Sequence, residues 1–177
     1  ENYGTLTYNF AGQNTISLPI TGSGGLTKIG AGIARFSNTG NSYTGTSTVT
    51  AGAVIKEVAD STTGDITVAT DATFVLAGGI TDGSGQTVTI SGPGNGALGS
   101  GYFYLGSLNQ RGALQAHTGN NTWAGDIALS GTAGTAGNTR IGVQNDASLT
   151  LTGNITEAVA GMSPYFRAGD GAADTIT

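Results

Sequence analysis

The sequence predicts an all-β chain wound as a parallel β-solenoid, or β-helix, from degenerate repeats. Three observations lead there. Short segments alternate apolar and polar residues with period two, glycine-bearing turns separate them, and matching segments recur at long range instead of as adjacent hairpins.

The alternation is clearest in GQTVTIS (85–91), where Val88 and Ile90 oppose Thr87, Thr89 and Ser91, and in DASLTLTG (146–153), where Leu149 and Leu151 oppose Ser148, Thr150 and Thr152. These are strands with one dry face. Gly-Gly, Asp-Gly, Ser-Gly and Asn-Gly bound them, and no long stretch holds an amphipathic helical period. Val54–Ala59 allow at most a short turn of helix.

Gly32-Ile33-Ala34 matches Gly112-Ala113-Leu114, and Asn41-Ser42-Tyr43-Thr44-Gly45 matches Asn121-Thr122-Trp123-Ala124-Gly125, both 80 residues on; TSTVT (46–50) then matches DIALS (126–130). Asp65–Val68 matches Arg140–Val143 and Asp71–Leu76 matches Asp146–Leu151 at 75, which defines related units at about 25–100 and 101–177 of one continuous solenoid. A sandwich or barrel would instead pair neighbours through two-residue turns. Coils of about 22 residues predict roughly eight coils and a rod of about 40 Å.

The 32 glycines and 3 prolines among 177 residues lack a triplet period, which excludes collagen, and the 37% hydrophobic content suffices for a core. Net charge is −5 with a pI near 4.4, and the six cations (Lys28, Arg35, Lys56, Arg111, Arg140, Arg167) are scattered. Phosphate binding needs a clustered basic face, so nucleic acid is not an expected partner. Without cysteine there is no disulfide framework and no thiolate site. No apolar run reaches the ~20 residues that span a bilayer, so no membrane insertion by this segment is expected. The start at Glu1, without Met or leader, and the strand-like end predict a piece of a longer protein.

GLTKIGAGIARFSNTGNSYTGTSTVTAGAV (25–54) resembles the autotransporter-associated β-strand repeat, also called the passenger-associated transport repeat. Gly25 to Lys28, Gly30, Gly32, Asn41, Tyr43 to Gly45, Val49, Ala51 and Gly52 carry the match; Ile33-Ala34-Arg35-Phe36 departs from the usual Thr-Leu-x-Leu, and Gly112 to Ser130 keeps only the outline. The resemblance covers about a sixth of the chain. It implies a right-handed parallel β-helix in the passenger of a secreted or cell-surface protein. Structural roles are expected for Gly30, Gly32, Asn41, Tyr43, Gly45, Gly112, Asn121, Trp123 and Gly125. Tyr43 and Trp123 should cover a coil's core at equivalent corners, with stacking on a sugar ring as the sharper alternative.

Candidate chemistry is sparse, and no cofactor is expected. Asp60, Asp65, Asp71 and Asp82 lie on several coils, so two or three could converge as a calcium or polysaccharide-cleaving site; Asp65 and Asp71 also read as turn residues. Arg140 takes the place of Asp65 in the second unit, so no carboxylate cluster repeats. His117, the only histidine, reads as an exposed loop residue without a nucleophile elbow. GDGAADTI (169–176) is similar to a calcium nonapeptide but occurs once, leaving Asp170 and Asp174 as weak metal candidates. ISGPGNGALGSG (90–101) reads as a loop with no helix to receive a phosphate, and Tyr102-Phe103-Tyr104 as a coil filler. Stacked Thr runs should form outward hydroxyl ladders able to contact glycans.

The sequence therefore predicts a non-enzymatic structural or adhesive segment, a stalk, fibre or passenger, with end-to-end or lateral self-association and a possible glycan or cell-surface ligand. Its alternatives are a polysaccharide lyase or hydrolase, by analogy of fold alone, and a glycan- or surface-binding module.

Overall fold

The computed structural model describes residues 1–60, 62–96, 112–131, 139–144, 146–169 and 172–177. Among them are twenty strands and no helix, all pairing parallel. The chain visits three faces in rotation. The first coil comprises β1 (Thr5–Asn9), β2 (Gln13–Ile16) and β3 (Thr21–Gly22); the second β4 (Gly25–Ile29), β5 (Ile33–Phe36) and β6 (Ser42–Tyr43). The third has only β7 (Ser47–Val49) and β8 (Gly52–Lys56). The fourth comprises β9 (Ile66–Val68), β10 (Ala72–Ala77) and β11 (Thr81–Asp82); the fifth β12 (Thr87–Ser91), β13 (Leu114–His117) and β14 (Asn120–Trp123). The sixth comprises β15 (Asp126–Ser130), β16 (Thr139–Gln144) and β17 (Ser148–Leu151); the seventh β18 (Ile155–Glu157), β19 (Pro164–Arg167) and β20 (Thr175–Ile176).

First-face and second-face strands form seven-stranded sheets, and third-face strands form one sheet of two and one of four. This all-β array of parallel sheets is consistent with a β-solenoid. It holds seven coils among the described residues, not eight, so six strand spacings give a stack of about 29 Å. No helical turn forms after Val54; Gly52–Lys56 is strand.

Gln13, Ile33, Ala53 and Thr73 stack at steps of 20 residues, and the next step, from Phe74 to Leu114, is 40. The 80-residue match is therefore three coil steps, one of them lengthened, and it places Ile33 over the column of Ala113 and Ser47 over that of Ile127. The 75-residue match does not survive. Ile66 lies on the first face and Ile141 on the second, while Phe74 lies on the second and Leu149 on the third. What those segments share is local: Asp71 (φ 64°) and Asp146 (φ 56°) each turn through left-handed backbone, which Asp tolerates, just before a strand.

First-face strands alternate as the sequence predicts: Val88, Ile90, Ile127 and Leu129 are buried, with polar neighbours outward. The second face differs. β8, β10 and β13 are buried along their whole length, as expected of strands covered on both sides. One side joins the main core with Phe74, Leu76, Leu114 and Ile141, and the other holds a second cluster of Ile33, Ala53, Ile55, Val75 and Ala77.

The close spacing of coils explains two glycine columns. A Cβ on Gly32 or Gly52 would collide with the carbonyl oxygen of Gly12 or Gly32 one coil back, and one on Gly45 would lie 2.5 Å from the Gly24 carbonyl carbon. In the first coil a Cβ on Gly4 or Gly12 would meet no atom of the described residues within 4 Å. Gly45→Ala should therefore lower unfolding free energy by about 1–3 kcal/mol, while Gly4→Ala stays within about 0.5 kcal/mol of the parent. Chemical denaturation of both variants measures the contrast.

Candidate functional site

The expected motif residues occupy matching corners. Asn41 and Asn121 are both buried, and each turns its Oδ1 to the preceding coil: Asn41 accepts from the Ile20 N–H (3.0 Å), Asn121 from the Gly79 and Ile80 N–H groups (3.1 and 3.2 Å). Asn121 Nδ2 also donates to the carbonyls of Thr118 and Gly119, both at 3.0 Å. One amide thus serves four main-chain groups of a corner that no strand ladder satisfies.

Two residues further on, Tyr43 and Trp123 are buried, so neither offers a face to a sugar. Trp123 packs edge-on against Phe74, with ring centroids 5.9 Å apart, and its Nε1 donates to the Asp126 carbonyl at 3.3 Å. The Tyr43 hydroxyl lies 2.6 Å from Ser47 Oγ. Gly125 then passes so near the main chain of Gly83 and Gln86 that no Cβ fits, and Gly112 is confined in the same way by Leu114 and Arg140. Gly30 (φ 77°) turns the chain under Phe10.

Asp60 and Asp82 are brought together, and Asp65 and Asp71 are not. In the third coil, where the third face lacks a strand, Lys56 Nζ lies 2.9 Å from Asp60 Oδ1 and 2.5 Å from Asp82 Oδ2; all three side chains are at least nine-tenths buried. Asp60 also accepts from Thr62 N–H (3.1 Å), Thr62 Oγ1 (2.7 Å) and Asn41 Nδ2 (3.2 Å). Asp82 Oδ2 meets Lys56 as an ion pair whose angle is not that of a hydrogen bond. Burial alone would pull the Lys56 pKa down, but the carboxylates of Asp82 and Asp60 outweigh it and raise it.

Beneath the cluster is a cavity of about 20 Å³, lined in part by Tyr43, Ser47, Phe74 and Gln86, and outside it opens a cleft of about 240 Å³ bordered by Asp60, Thr62, Thr81 and Asp82. Chemically, the cluster is an amine held between two carboxylates in apolar surroundings.

Asp65 is exposed and its Oδ1 accepts from the Thr87 N–H at 2.8 Å; Asp126 does the same for Asn154 two coils later, also at 2.8 Å. Asp126 is therefore the counterpart of Asp65. Arg140 instead lies on the second face, its guanidinium 5.8 Å from the Tyr165 ring centre. His117 is buried, not exposed: it ends β13 on the doubly covered face, above Ala77. Asp174 Oδ1 accepts from the Ala147 N–H at 3.1 Å; Asp170 lies outside the described residues, as do Tyr102-Phe103-Tyr104 and Arg111. Among the described residues, no three His, Cys, Asp or Glu side chains gather as a metal site, and no helix is long and apolar enough to cross a membrane.

Sequence reasoning missed the role of Lys28. It occupies a core-facing position between Tyr8 and Val49, fully buried, and curls to the corner carbonyls of Ile29 and Gly30 (both 2.8 Å) and Ala51 (3.4 Å), with Nζ 5.0 Å from the centre of the Phe10 ring. A lysine at an alternation position reserved for apolar residues was the available signal.

In comparisons with known proteins, no family model, no curated protein and no solved structure matches this chain.

Two measurements follow from this geometry. Asn121→Ala removes the acceptor of two buried N–H groups and should cost about 2–3 kcal/mol in urea unfolding, whereas an exposed polar position should not respond. Burial lowers the Lys28 pKa from 10.5 to about 8. Between those values the unfolded chain binds more protons than the folded one, so the Lys28 contribution to stability rises with pH from about 8 toward 10.5. Unfolding curves across that window should show an upward slope that Lys28→Met reduces.

Proposed function

We propose that this chain is a structural or adhesive segment of a secreted or cell-surface protein, a right-handed β-solenoid of the autotransporter-passenger kind that acts as a stiff stalk or fibre element. The observation that carries the reading is where apolar surface remains. The flanks are polar: on the first face Thr7, Thr27, Thr48, Thr67 and Thr89 stack one above another in an outward hydroxyl ladder. Among the described residues the large exposed apolar side chains lie in the end coils, Tyr3, Leu6 and Leu18 in the first and Ile155, Tyr165 and Phe166 in the last. Beyond β18 to β20 the core ends in an apolar depression of about 470 Å³ lined by Leu151, Ile155, Phe166 and Ile176. Open strand edges beside uncovered core are surfaces on which another coil fits.

Such a surface receives a further coil of the same chain or the end coil of a second copy, and a heterologous head-to-tail contact between copies extends a fibre where its rotation does not close a ring. The motif glycines support the passenger reading, since they stand where one coil approaches the next.

Light scattering and negative-stain microscopy over a concentration series test the assembly. Elongation along the coil axis is expected, weakened by Phe166→Glu and Ile155→Lys; short monodisperse monomers at every concentration would sink it. The cleft beside Asp60 and Asp82 favours polysaccharide cleavage as the second reading. Turnover of acidic or neutral glycans, with or without calcium, would replace the first reading if Asp82→Asn abolished it.

A further inference from the structure

We propose that Lys56 and Asp82 form an intramolecular isopeptide bond, with Asp60 as the proton-transferring catalyst, so that the third and fourth coils are covalently tied. This inference does not depend on secretion or on fibre assembly.

Three observations carry it. Lys56 Nζ lies 2.5 Å from Asp82 Oδ2, beside the carboxyl carbon it would attack, and both side chains are more than nine-tenths buried; Phe36, Tyr43, Val54 and Phe74 line the cavity beneath Lys56, while Asp82 borders the outer cleft. The two carboxylates are unlike. Asp60 accepts from Thr62, Asn41 and Lys56, whereas Asp82 Oδ2 meets Lys56 alone. A carboxyl that takes the proton of the adjoining ammonium is the better electrophile, and Asp82 is the carboxylate with Lys56 as its partner. Finally, the cluster stands where the third-face ladder is broken, between β6 and β11, so a covalent tie would bridge a gap that main-chain hydrogen bonds leave.

The atoms balance without an added reagent. The Lys56 ammonium passes one proton to Asp82, giving a neutral amine and a carboxylic acid; burial favours this loss of two charges, against the two carboxylates that raise the Lys56 pKa. Nζ attacks Cγ of Asp82. Asp60 takes a proton from the attacking nitrogen and returns it to the departing hydroxyl; the C–N bond forms, the C–O bond breaks and one water leaves. Asp60 ends as it began.

Intact-mass measurement of the folded protein should give a value lighter than the sequence by one water. Trypsin should no longer cut after Lys56, leaving one peptide of residues 36–111 whose fragmentation joins Lys56 to Asp82. Lys56→Arg and Asp60→Asn should both restore the full mass. Asp82→Asn should yield the same linkage with loss of ammonia, so its mass equals that of the cross-linked parent. A parent at full sequence mass overturns the proposal, as does a bond mapped to Asp60. A water loss that persists in Lys56→Arg comes from another dehydration, at Asp82-Gly83, Asp170-Gly171 or Glu1, and overturns the proposal when the parent's digest still yields peptides cut after Lys56. Full crosslinking in Asp60→Asn overturns the catalytic assignment. The parent's mass is read without any variant, so a variant that fails to fold leaves the test intact.

Discussion

Each coil here is laid on the one before it by parallel main-chain hydrogen bonds, at a separation of about 4.8 Å, and that single distance governs what every column may contain. At the corners it is too short for a side chain, so Gly12, Gly32 and Gly52 follow one another, as do Gly4, Gly24, Gly45 and Gly64. On the flat faces it is right for like over like: aliphatic over aliphatic inward, threonine over threonine outward. Where the chain turns and the ladder stops, the same spacing lets a buried asparagine reach back one coil and satisfy the N–H groups left over. Glycine, alternation and asparagine are thus three answers to one constraint.

The third coil shows what happens when one face loses its strand. Between β6 and β11, among the described residues, the main chain is joined by one long hydrogen bond from the Thr63 N–H to the Tyr43 carbonyl, at 3.4 Å. Lys56, Asp60, Asp82 and Asn41 fill the space, joining coils two, three and four through side chains. Burying three charges costs solvation, and apolar residues of equal volume would often serve stability as well. A charge cluster, unlike an apolar plug, accepts only one arrangement of its neighbours, so it fixes the register of the coils across the gap.

Much of this was legible in the sequence because stacking writes itself as a period. The 80-residue correspondence is real since it equals whole coil steps, and Val88, Ile90 and Leu149 faced inward as their alternation required. The 75-residue correspondence failed because Asp-Ala before a strand marks a kind of turn, not a particular corner, and the chain uses it on two faces. His117 was read as an exposed loop residue, whereas it ends strand β13 on a face covered on both sides; the near-continuous apolar run of ATFVLA one coil earlier was the sign of that double cover. The meeting of Asp60 with Asp82 was within reach: they stand 22 residues apart, one coil step, and Asn41 lies 19 before Asp60. Which cation joined them was not, since Lys56 sits on a different face of the coil and reaches the cluster only through its long side chain.

The faces also divide the surface by use. The second face is buried on both sides through β8, β10 and β13, so its side chains are committed to packing. The third face is spent on asparagine corners, aromatic plugs and the charge cluster. On the first face threonine repeats at one height through the first five coils until Ala128 interrupts it, and Thr81, Thr122 and Thr150 make a shorter row on the third; a row of hydroxyls at strand spacing is a surface that lateral contacts can meet without disturbing the core. The threonine row runs along the flank and the exposed apolar side chains lie at the two end coils, where Leu6 and Ile155 belong to the first face and to an end alike, so the two surfaces meet there.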